Sequence, residues 1–399
     1  MTDTVEVLVV GGGISGVAMA RALGLAGKEV LLVEQAHELG EIGAGLQLGP
    51  NAVRSLDRLG VWDSLRPLAV APRSAIFMDA IRKERLTRID FGRAFVECFG
   101  HPYVVAHRHD LLDALVAAAR DTAGVTLRTN ARVVAVEEGL GHATVHLEDG
   151  TSIASRVVVG ADGIRSRVRR LHDESEPTFT GNIAYRGTVP IEHADLGFDP
   201  TDMILWIGPH RHLIQYPVRG GRLYNQVAVV ESGVAGGGHD PRSGREQLDE
   251  VFADSCDTVL ASLGLFDNHR VWPVYDRQPM ATWFTPHTVL VGDAAHAMRQ
   301  YLAQGACQAL EDVLVLTRAL VEHPVAEEAF SAYQDRRMEK ATRCQRVAGP
   351  WGDLWHTADP MVIAIRDRYF RLRADDDYSE LHWLYADHVG HGVPRAASR

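Results

Sequence analysis

The sequence contains few cysteines, and the four present are far apart. They are Cys98, Cys256, Cys307 and Cys344, and no two of them have the CxxC spacing of a zinc knuckle or a redox motif. A disulfide scaffold and a zinc-stabilised fold are therefore not expected. We predict reduced, mostly buried thiols in a cytoplasmic protein.

The chain also lacks a long hydrophobic run and an excess of positive charge. The apolar stretch at residues 5–10 stops at a glycine, too short for a membrane span or a signal-peptide core. The 41 Lys and Arg residues against 52 Asp and Glu residues give a net charge of -11. Because phosphate backbones attract clustered basic side chains, nucleic acid is not expected as a partner. These features indicate a globular protein without a transmembrane segment.

The N-terminal residues 1–34 predict a strand, a glycine-rich turn, a helix and a second strand. Residues 5–10 and 30–33 are apolar and β-branched, as in parallel strands buried on both faces. Gly11, Gly13 and Gly16 satisfy GxGxxG between them, and Glu34 ends the second strand. Such glycines allow a tight turn, close approach of a pyrophosphate and helix packing, while the acid binds ribose hydroxyls. The pattern predicts a dinucleotide site without deciding between NAD and FAD.

Later segments extend this unit and interrupt it. Apolar runs at 157–159 and 288–291 predict further strands of the same sheet, whereas 73–105 and 179–283 have the short runs and turn residues of antiparallel strands. We predict an α/β fold in which a Rossmann-like FAD-binding domain is interleaved with a β-sheet substrate domain and followed by a helical C-terminal part. The predicted segments are 1–72, 106–178 and 284–343 for the first domain, 73–105 and 179–283 for the second, and 344–399 for the C-terminal part and tail.

Several further motifs favour FAD over NAD, through the enzymes that they resemble. Besides the glycine fingerprint, the stretches GAGLQLGPNA, HRHDLLDAL, VVGADGIRSRVR and VLVGDAAH resemble the single-component, FAD-dependent aromatic hydroxylases, which include p-hydroxybenzoate and salicylate hydroxylases. The resemblance covers essentially the whole chain. It implies a tightly but non-covalently bound FAD and, since no second strand-linked GxGxxG is present, NADH or NADPH as a transient co-substrate. Because the family often forms dimers, a homodimer is one expectation.

The resemblance assigns FAD contacts along the chain. Arg108 would hold the FAD chain, Asp293 would accept hydrogen bonds from ribityl hydroxyls, and amides at a helix start would stabilise charge on the reduced flavin. Asp162 would lie near the FAD and the nicotinamide route, or alternatively cap a helix starting at Ile164. The complete predicted FAD site is Gly11, Gly13, Ser15, Gly16, Glu34, Gln35, Gly45, Arg108, Asp162, Asp293, Gly305 and Ala306.

The substrate segment more narrowly resembles the 3-hydroxybenzoate 6-hydroxylases, through HPYVVAHR, WIGPHRHLIQYPVRGG, NQVAVVES, QYLAQGA and WGDLWH. This resemblance implies that His212 lies over a small aromatic substrate and takes its phenolic proton. The ring carbon then attacks a flavin C4a-hydroperoxide formed from O2. With 3-hydroxybenzoate the para position is carbon 6, and the product is gentisate. Tyr216, Tyr103 and Gln300 would complete the polar pocket.

Other interpretations stay open at this point. From the residues alone, His212 is equally typical of a strand, and Tyr216 of a half-buried structural aromatic. His210 with His212 suggests a metal pair, but no carboxylate or cysteine accompanies them at a useful spacing, so no metal is predicted. Rival functions are a tailoring monooxygenase for a larger aromatic such as a quinolone or polyketide, a flavin oxidase or dehydrogenase, and a non-catalytic FAD sensor.

One stretch departs from the family pattern. After GDAAH the resembling enzymes commonly have proline, whereas this chain continues with Ala297, Met298, Arg299 and Gln300. A proline there would fix the backbone beside the flavin. Arg299 is expected either to bind a substrate carboxylate or to point into solvent.

Overall fold

The computed structural model describes residues 2–40, 44–193, 199–233, 244–266 and 271–390. The strands are β1 Thr2–Val10, β2 Val30–Val33, β3 Gly45–Leu48, β4 Ser74–Asp79, β5 Arg85–Asp90, β6 Val104–His107, β7 Val125–Arg128, β8 Val133–Glu138, β9 Ala143–Leu147, β10 Ser152–Gly160, β11 Thr178–Pro190, β12 Met203–Gly208, β13 Arg211–Val218, β14 Leu223–Glu231, β15 Val271–Asp276 and β16 Thr288–Leu290. The α-helices are α1 Ile14–Leu25, α2 Pro50–Arg58, α3 Trp62–Leu65, α4 Arg93–Phe99, α5 Arg108–Arg120, α6 Arg245–Val251, α7 Asp257–Leu263, α8 Asp293–His296, α9 Gly305–Glu322, α10 Ala326–His356, α11 Pro360–Leu372 and α12 His382–Tyr385.

A first sheet contains the predicted parallel strands. Its order is β7-β2-β1-β10-β9-β8, and β16 also pairs with β10. β1 pairs in parallel with β2 and β10, with Val7 opposite both Val30 and Val157. The strand residues from Val7 to Val10 are buried, as expected for a sheet covered on both faces by helices. The predicted βαβ unit is confirmed, and the later strands join it where the sequence placed them.

A second sheet has the order β15-β11-β14-β13-β12-β4-β5. Its neighbouring strands are antiparallel except β12 and β4, which are parallel. The expectation of antiparallel strands is wrong for that pair: β4 and β12 are joined through the first sheet, so no hairpin imposes opposite directions. Helices α4, α6 and α7 also lie within 73–105 and 179–283, where only strands were predicted.

The C-terminal helices start earlier than predicted. Helix α10 runs without interruption through position 343/344, the predicted start of the helical part, and even Pro350 lies inside it. It packs beside α9 at its beginning and reaches β12 and β13 at its end. One helix thus belongs to both units, and the domain boundaries themselves stay a prediction. The predicted tail at 391–399 lies outside the described residues.

All four cysteines are free thiols. Cys307 and Cys344 are buried, Cys256 is partly buried and Cys98 is exposed, so the prediction of mostly buried thiols is correct for only two. Across the described ranges, no helix combines the length and apolarity needed to cross a membrane.

A buried ionic cluster joins α9 and α10. Arg337 donates to Asp312 at 2.8 Å and to Glu311 at 2.5 Å. Asp312 also accepts from the Gly292 amide at 3.0 Å, which ties the turn after β16 to α9. Burial raises the pKa of both acids, but the attraction of Arg337 and the neighbouring donors leaves the pKa of each below its usual value. The two carboxylates are therefore ionised and depend on Arg337.

Replacing Arg337 with Met leaves two buried carboxylates without their main counterion. We expect Arg337→Met to lower the free energy of unfolding by about 3–5 kcal/mol, measured by urea denaturation at neutral pH. Because the folded-state pKa values of Glu311 and Asp312 are depressed, the cluster's contribution is present above the ordinary carboxyl pKa. It should be lost as pH falls below about 4 towards the folded-state pKa values.

The matched control is Arg346→Met, the same change on an exposed position of α10. It should alter the free energy of unfolding by less than about 0.5 kcal/mol. Equal losses in the two variants would contradict the role given to the cluster.

Candidate active site

The glycine turn between β1 and α1 has no room for larger residues. Gly11 has φ 109°, and a Cβ there would lie 2.5 Å from the Ala161 carbonyl oxygen. A Cβ on Gly16 would overlap the Gly11 carbonyl oxygen, so α1 packs directly on the turn. Glu34 accepts hydrogen bonds from the Gly12 amide at 2.6 Å and the Ala36 amide at 2.8 Å. The acid thus fixes the turn and is held beside it.

The turn after β16 approaches the same place. Gly292 has φ 59°, and a Cβ there would overlap the Ser15 hydroxyl at the start of α1. Asp293 follows it, and its carboxylate lies 3.7 Å from the Cβ position of Gly305. The predicted site residues Ser15, Asp293 and Gly305 are therefore brought together from distant parts of the chain.

Two helix starts at this cleft carry unused amide groups. α1 follows Gly13 and α9 follows Gln304, and neither has a side-chain cap or an acid in its first turn. Gly305 and Ala306 begin α9 as predicted. Arg108 is the first residue of α5, and desolvation lowers the pKa of its guanidinium while the attraction of nearby Asp293 opposes that shift. Donors for phosphate and flavin oxygens therefore surround the cleft.

Asp162 caps its own segment. Its carboxylate accepts from the Ser166 hydroxyl at 2.5 Å and the Arg167 amide at 2.6 Å, and burial raises its pKa. The alternative of a helix starting at Ile164 is wrong in its start, because a turn follows Asp162 and leads into a 3-10 helix at Val168–Leu171. Asp162 still borders the glycine turn, with its Cα 2.9 Å from the Cβ position of Gly11.

Two predicted FAD residues remain, Gln35 and Gly45. Gln35 is exposed beyond β2. Gly45 lies where the second sheet meets β3: its amide donates to Asn225 at 2.7 Å, and a Cβ would lie 2.5 Å from the Tyr216 ring. Gly45 is needed for close packing against the substrate segment.

Three of the four predicted substrate residues are linked through neighbouring polar side chains. The Tyr103 hydroxyl donates to Gln47 at 2.6 Å, and Tyr216 hydrogen-bonds to the same side chain. Gln300 accepts from Arg186 at 3.3 Å. Burial raises the pKa of Tyr103 and Tyr216, so both hydroxyls are neutral donors at ordinary pH.

His212 lies at the other end of the same strand face. Residues 212, 214 and 216 of β13 share one face, which separates His212 from Tyr216 by about 13 Å. His212 is buried, and its Nδ1 lies 2.7 Å from Nε2 of His356. The rings of Tyr301 and Trp355 lie 5.5 Å and 5.4 Å away. Burial, together with the neighbouring His356, lowers the pKa of His212 well below its usual value, so the imidazole is neutral and has one nitrogen free to accept a hydrogen bond.

The sequence analysis missed Gln47, Arg186 and His356. Gln47 is inside the quoted GAGLQLGPNA motif, and Arg186 is the single charged residue of β11. Gln47 and Arg186 could have been found from the sequence, because each is a polar residue in an apolar strand. His356 had no such signal beyond WGDLWH, because its pairing with His212 joins positions 144 residues apart.

Neither alternative for Arg299 holds, and His210 and His212 have different surroundings. Arg299 donates to Asp276 at 2.8 Å and to Asp353 at 3.3 Å, so its charge is used within the protein. His210 is exposed and bonded to Glu231, while His212 is buried. In the described parts of the chain, no group of three His, Cys, Asp or Glu residues is placed to hold a metal.

Comparison with known proteins decides the family. The family described as FAD binding domain matches residues 4–348. The chain belongs to this FAD-binding family.

Its relatives extend the match over the whole length. The chain is 36% identical to a 3-hydroxybenzoate 6-hydroxylase of Klebsiella oxytoca, over 96% of this chain and 97% of that protein. It is 34% identical to the 3-hydroxybenzoate 6-hydroxylase of Polaromonas naphthalenivorans strain CJ2, over 96% of each. The crystal structure of Klebsiella pneumoniae HpxO complexed with FAD and uric acid has the same fold, with a TM-score of 0.84, 23% identity and 94% of each chain covered. The predicted resemblance to FAD-dependent aromatic hydroxylases is confirmed, and FAD is the cofactor of this family member.

The cleft residues fit FAD. The glycine turn excludes side chains where a pyrophosphate would approach, two uncapped helix starts offer amides, and Arg108 supplies a cation. The assignment of individual residues to FAD stays a prediction.

We expect Glu34→Ala to weaken FAD binding roughly 10- to 100-fold, because a charge-assisted contact to the ribose is lost. FAD affinity is measured by flavin fluorescence during titration of the deflavinated protein. Glu38→Ala, an exposed acid of the same loop, is the control and should leave the affinity unchanged. Equal affinities for both variants would remove Glu34 from the site.

Proposed function

We propose that this chain is an NAD(P)H- and O2-dependent monooxygenase that hydroxylates a phenolic aromatic carboxylate, with 3-hydroxybenzoate converted to gentisate. The observation that carries the proposal is the buried, neutral His212 on the strand face that also presents Tyr216. The relatives named for 3-hydroxybenzoate 6-hydroxylation support this substrate in particular.

FAD, when bound, supplies the redox chemistry that accepts hydride from NAD(P)H and activates O2. The chain's own part begins with His212, whose basic imidazole takes the phenolic proton of the substrate. The resulting phenolate has more electron density at the ring position para to the oxygen, which is carbon 6 of 3-hydroxybenzoate. A neutral base at this position explains why the regiochemistry follows the hydroxyl.

Arg186 is the proposed anchor for the carboxylate. Its Nε is buried without a hydrogen-bond partner among the described residues, while its Nη2 donates to Gln300. Burial lowers its pKa, but a guanidinium stays charged, and a carboxylate ligand would satisfy the unpaired donor. Tyr103 and Tyr216, already oriented by Gln47, would line the side of the site beyond the anchor, away from His212.

The aromatic wall around His212 keeps water from the base. Trp355 and Tyr301 are 5% and 6% exposed, and their rings are 5.4 Å apart. Gly352 lets the Tyr301 ring lie against α10, since a Cβ there would overlap it. A dry base keeps its low pKa and protects a reactive intermediate from hydrolysis.

We also propose that two copies associate through α11 and that the enzyme works in the cytoplasm, where NAD(P)H is available. Met361, Ile365 and Leu372 on this helix are 69%, 63% and 76% exposed. Large apolar side chains repeated along one exposed helix are typical of a self-association surface.

The central test is substrate-dependent turnover. Purified FAD-loaded protein should consume NADH or NADPH and O2 faster with 3-hydroxybenzoate than without it, and mass spectrometry should identify gentisate containing one oxygen-18 atom from labelled O2. Stoichiometric H2O2 without label in any product would instead support an oxidase. Turnover only with a bulky aromatic would support the tailoring-enzyme alternative.

The carboxylate anchor has its own control within that assay. Arg186→Gln should raise the KM for 3-hydroxybenzoate by roughly 10- to 100-fold, as expected for a lost charged hydrogen bond. The exposed Arg222→Gln should leave KM unchanged. If both variants bind 3-hydroxybenzoate normally, another group holds the carboxylate.

The dimer proposal is tested by mass in solution. Sedimentation equilibrium should give twice the 43.8 kDa chain mass, and Ile365→Lys should shift the population to the monomer. A wild-type mass of one chain at micromolar concentration would contradict it.

A further inference from the structure

A line of polar side chains connects His212 with the protein surface. His212 Nδ1 lies 2.7 Å from His356 Nε2, and His356 Nδ1 lies 3.5 Å from one oxygen of Glu231. The other Glu231 oxygen lies 2.6 Å from His210 Nδ1. His212 and His356 are buried, whereas His210 and Glu231 line a surface cleft of about 520 Å³. The line therefore begins at the proposed base and ends in water.

The carboxylate decides which nitrogens carry hydrogen. Hydrogen bonds from His356 and His210 lower the pKa of Glu231, so it is ionised and can only accept. His356 must then carry its hydrogen on Nδ1, which leaves Nε2 as the acceptor. His212 accordingly donates from Nδ1 and keeps its lone pair on Nε2. The tautomers assigned from these partners make Nε2 of His212 the basic nitrogen.

We propose that His356, Glu231 and His210 form a proton relay that carries the phenolic proton of the substrate from His212 to the surface cleft. The inference rests on the proposed function. The substrate O–H bond breaks as an N–H bond forms at His212 Nε2. The Nδ1 hydrogen of His212 moves to His356 Nε2, and the Nδ1 hydrogen of His356 moves to Glu231. Glu231 then releases its proton to His210 or to water, which leaves the hydrogen of both imidazoles on Nε2. The starting tautomers return when the same transfers run in reverse and deliver a proton from the cleft to the product phenolate.

The charges explain why such a relay is needed. A lone imidazolium at His212 would be a buried cation beside Trp355 and Tyr301, which is costly in a dry environment. The set of two neutral imidazoles and Glu231 carries one negative charge and becomes neutral when it takes up the proton. The other titratable groups nearby are Tyr301 and, farther out, Asp353, Arg299, Arg211, Glu250 and Asp254.

The backbone also holds this arrangement in place. The His210 amide donates to the His356 carbonyl at 2.7 Å, so the turn between β12 and β13 fastens the end of α10. His210 has φ 62°, a conformation that favours glycine or asparagine, yet a histidine is present. His356, Glu231 and His210 are positioning residues, because they act on the substrate only through His212.

The experiment compares Glu231→Gln with Glu250→Gln in the FAD-loaded enzyme. The first change keeps a hydrogen-bond acceptor for His356 but removes the charge, and the second makes the same change on the same cleft outside the relay. Values of kcat and KM for 3-hydroxybenzoate are measured from about pH 6 to about pH 9, together with proton release on substrate binding followed by an indicator dye in weak buffer. FAD content and circular dichroism check that both variants are folded.

For Glu231→Gln at about pH 7 we expect kcat and the rate of proton release to fall about 10-fold or more, with KM changed less than about 2-fold. The deficit should shrink as pH rises, because more of the substrate is then ionised before it binds and has no phenolic proton to lose. Glu250→Gln should behave as the unmodified enzyme. His356→Asn should reproduce the pH-dependent loss.

Two results overturn the relay. One is an unchanged pH profile in Glu231→Gln, and the other is a loss of equal size at every pH, which is what a structural role produces. Failure of the unmodified enzyme to hydroxylate any phenolic carboxylate would refute the proposed function and the relay with it, and the wild-type assay alone reveals that case.

Discussion

The ionic cluster around Arg337 connects the parts of the chain that build the cofactor cleft. Its guanidinium binds Glu311 and Asp312 on α9 while Asp312 holds the amide of Gly292, so the helix and the turn after β16 are fixed relative to each other. Asn51, on α2, donates to Glu311 at 2.9 Å and adds a third element. Each buried carboxylate is stable in the interior only because a cation and hydrogen-bond donors surround it. This cluster therefore fixes the position of the start of α9, which faces the predicted flavin position.

Helix α10 connects the ionic cluster on the cofactor side with His212 on the substrate side. Arg337 lies near its middle, and its last residue, His356, contacts His212 on the second sheet. Between them, Trp355 and Gly352 pack against Tyr301 and complete the aromatic wall beside His212. A single helix therefore sets the distance between the flavin cleft and the pair of His212 and His356. This geometry is consistent with a reaction in which the substrate must meet both.

Much of the fold was accessible from local patterns. The glycine turn with Glu34, the parallel strands and the start of α9 are encoded by neighbouring residues, and all are present. The errors have tertiary causes: β12 pairs in parallel with β4 because the chain passes through the other sheet between them, and α10 continues across position 344 because packing on both units stabilises it. The prediction for the environment of Arg299 used only its residue type, whereas its partners Asp276 and Asp353 come from distant segments.

By itself, the sequence determined the dinucleotide fold, because this depends on spacing within one short motif, and the resemblance of several further motifs to known enzymes identified the family and the cofactor. It also named His212, Tyr216, Tyr103 and Gln300 through resemblance. Only the tertiary structure decided the surroundings of these side chains: Gln47 bonds to two tyrosines, Arg186 reaches Gln300, and His356 lies between His212 and Glu231. The physical reason is that a hydrogen bond depends on distance and direction between groups that the chain brings together from far apart, and local pattern contains neither.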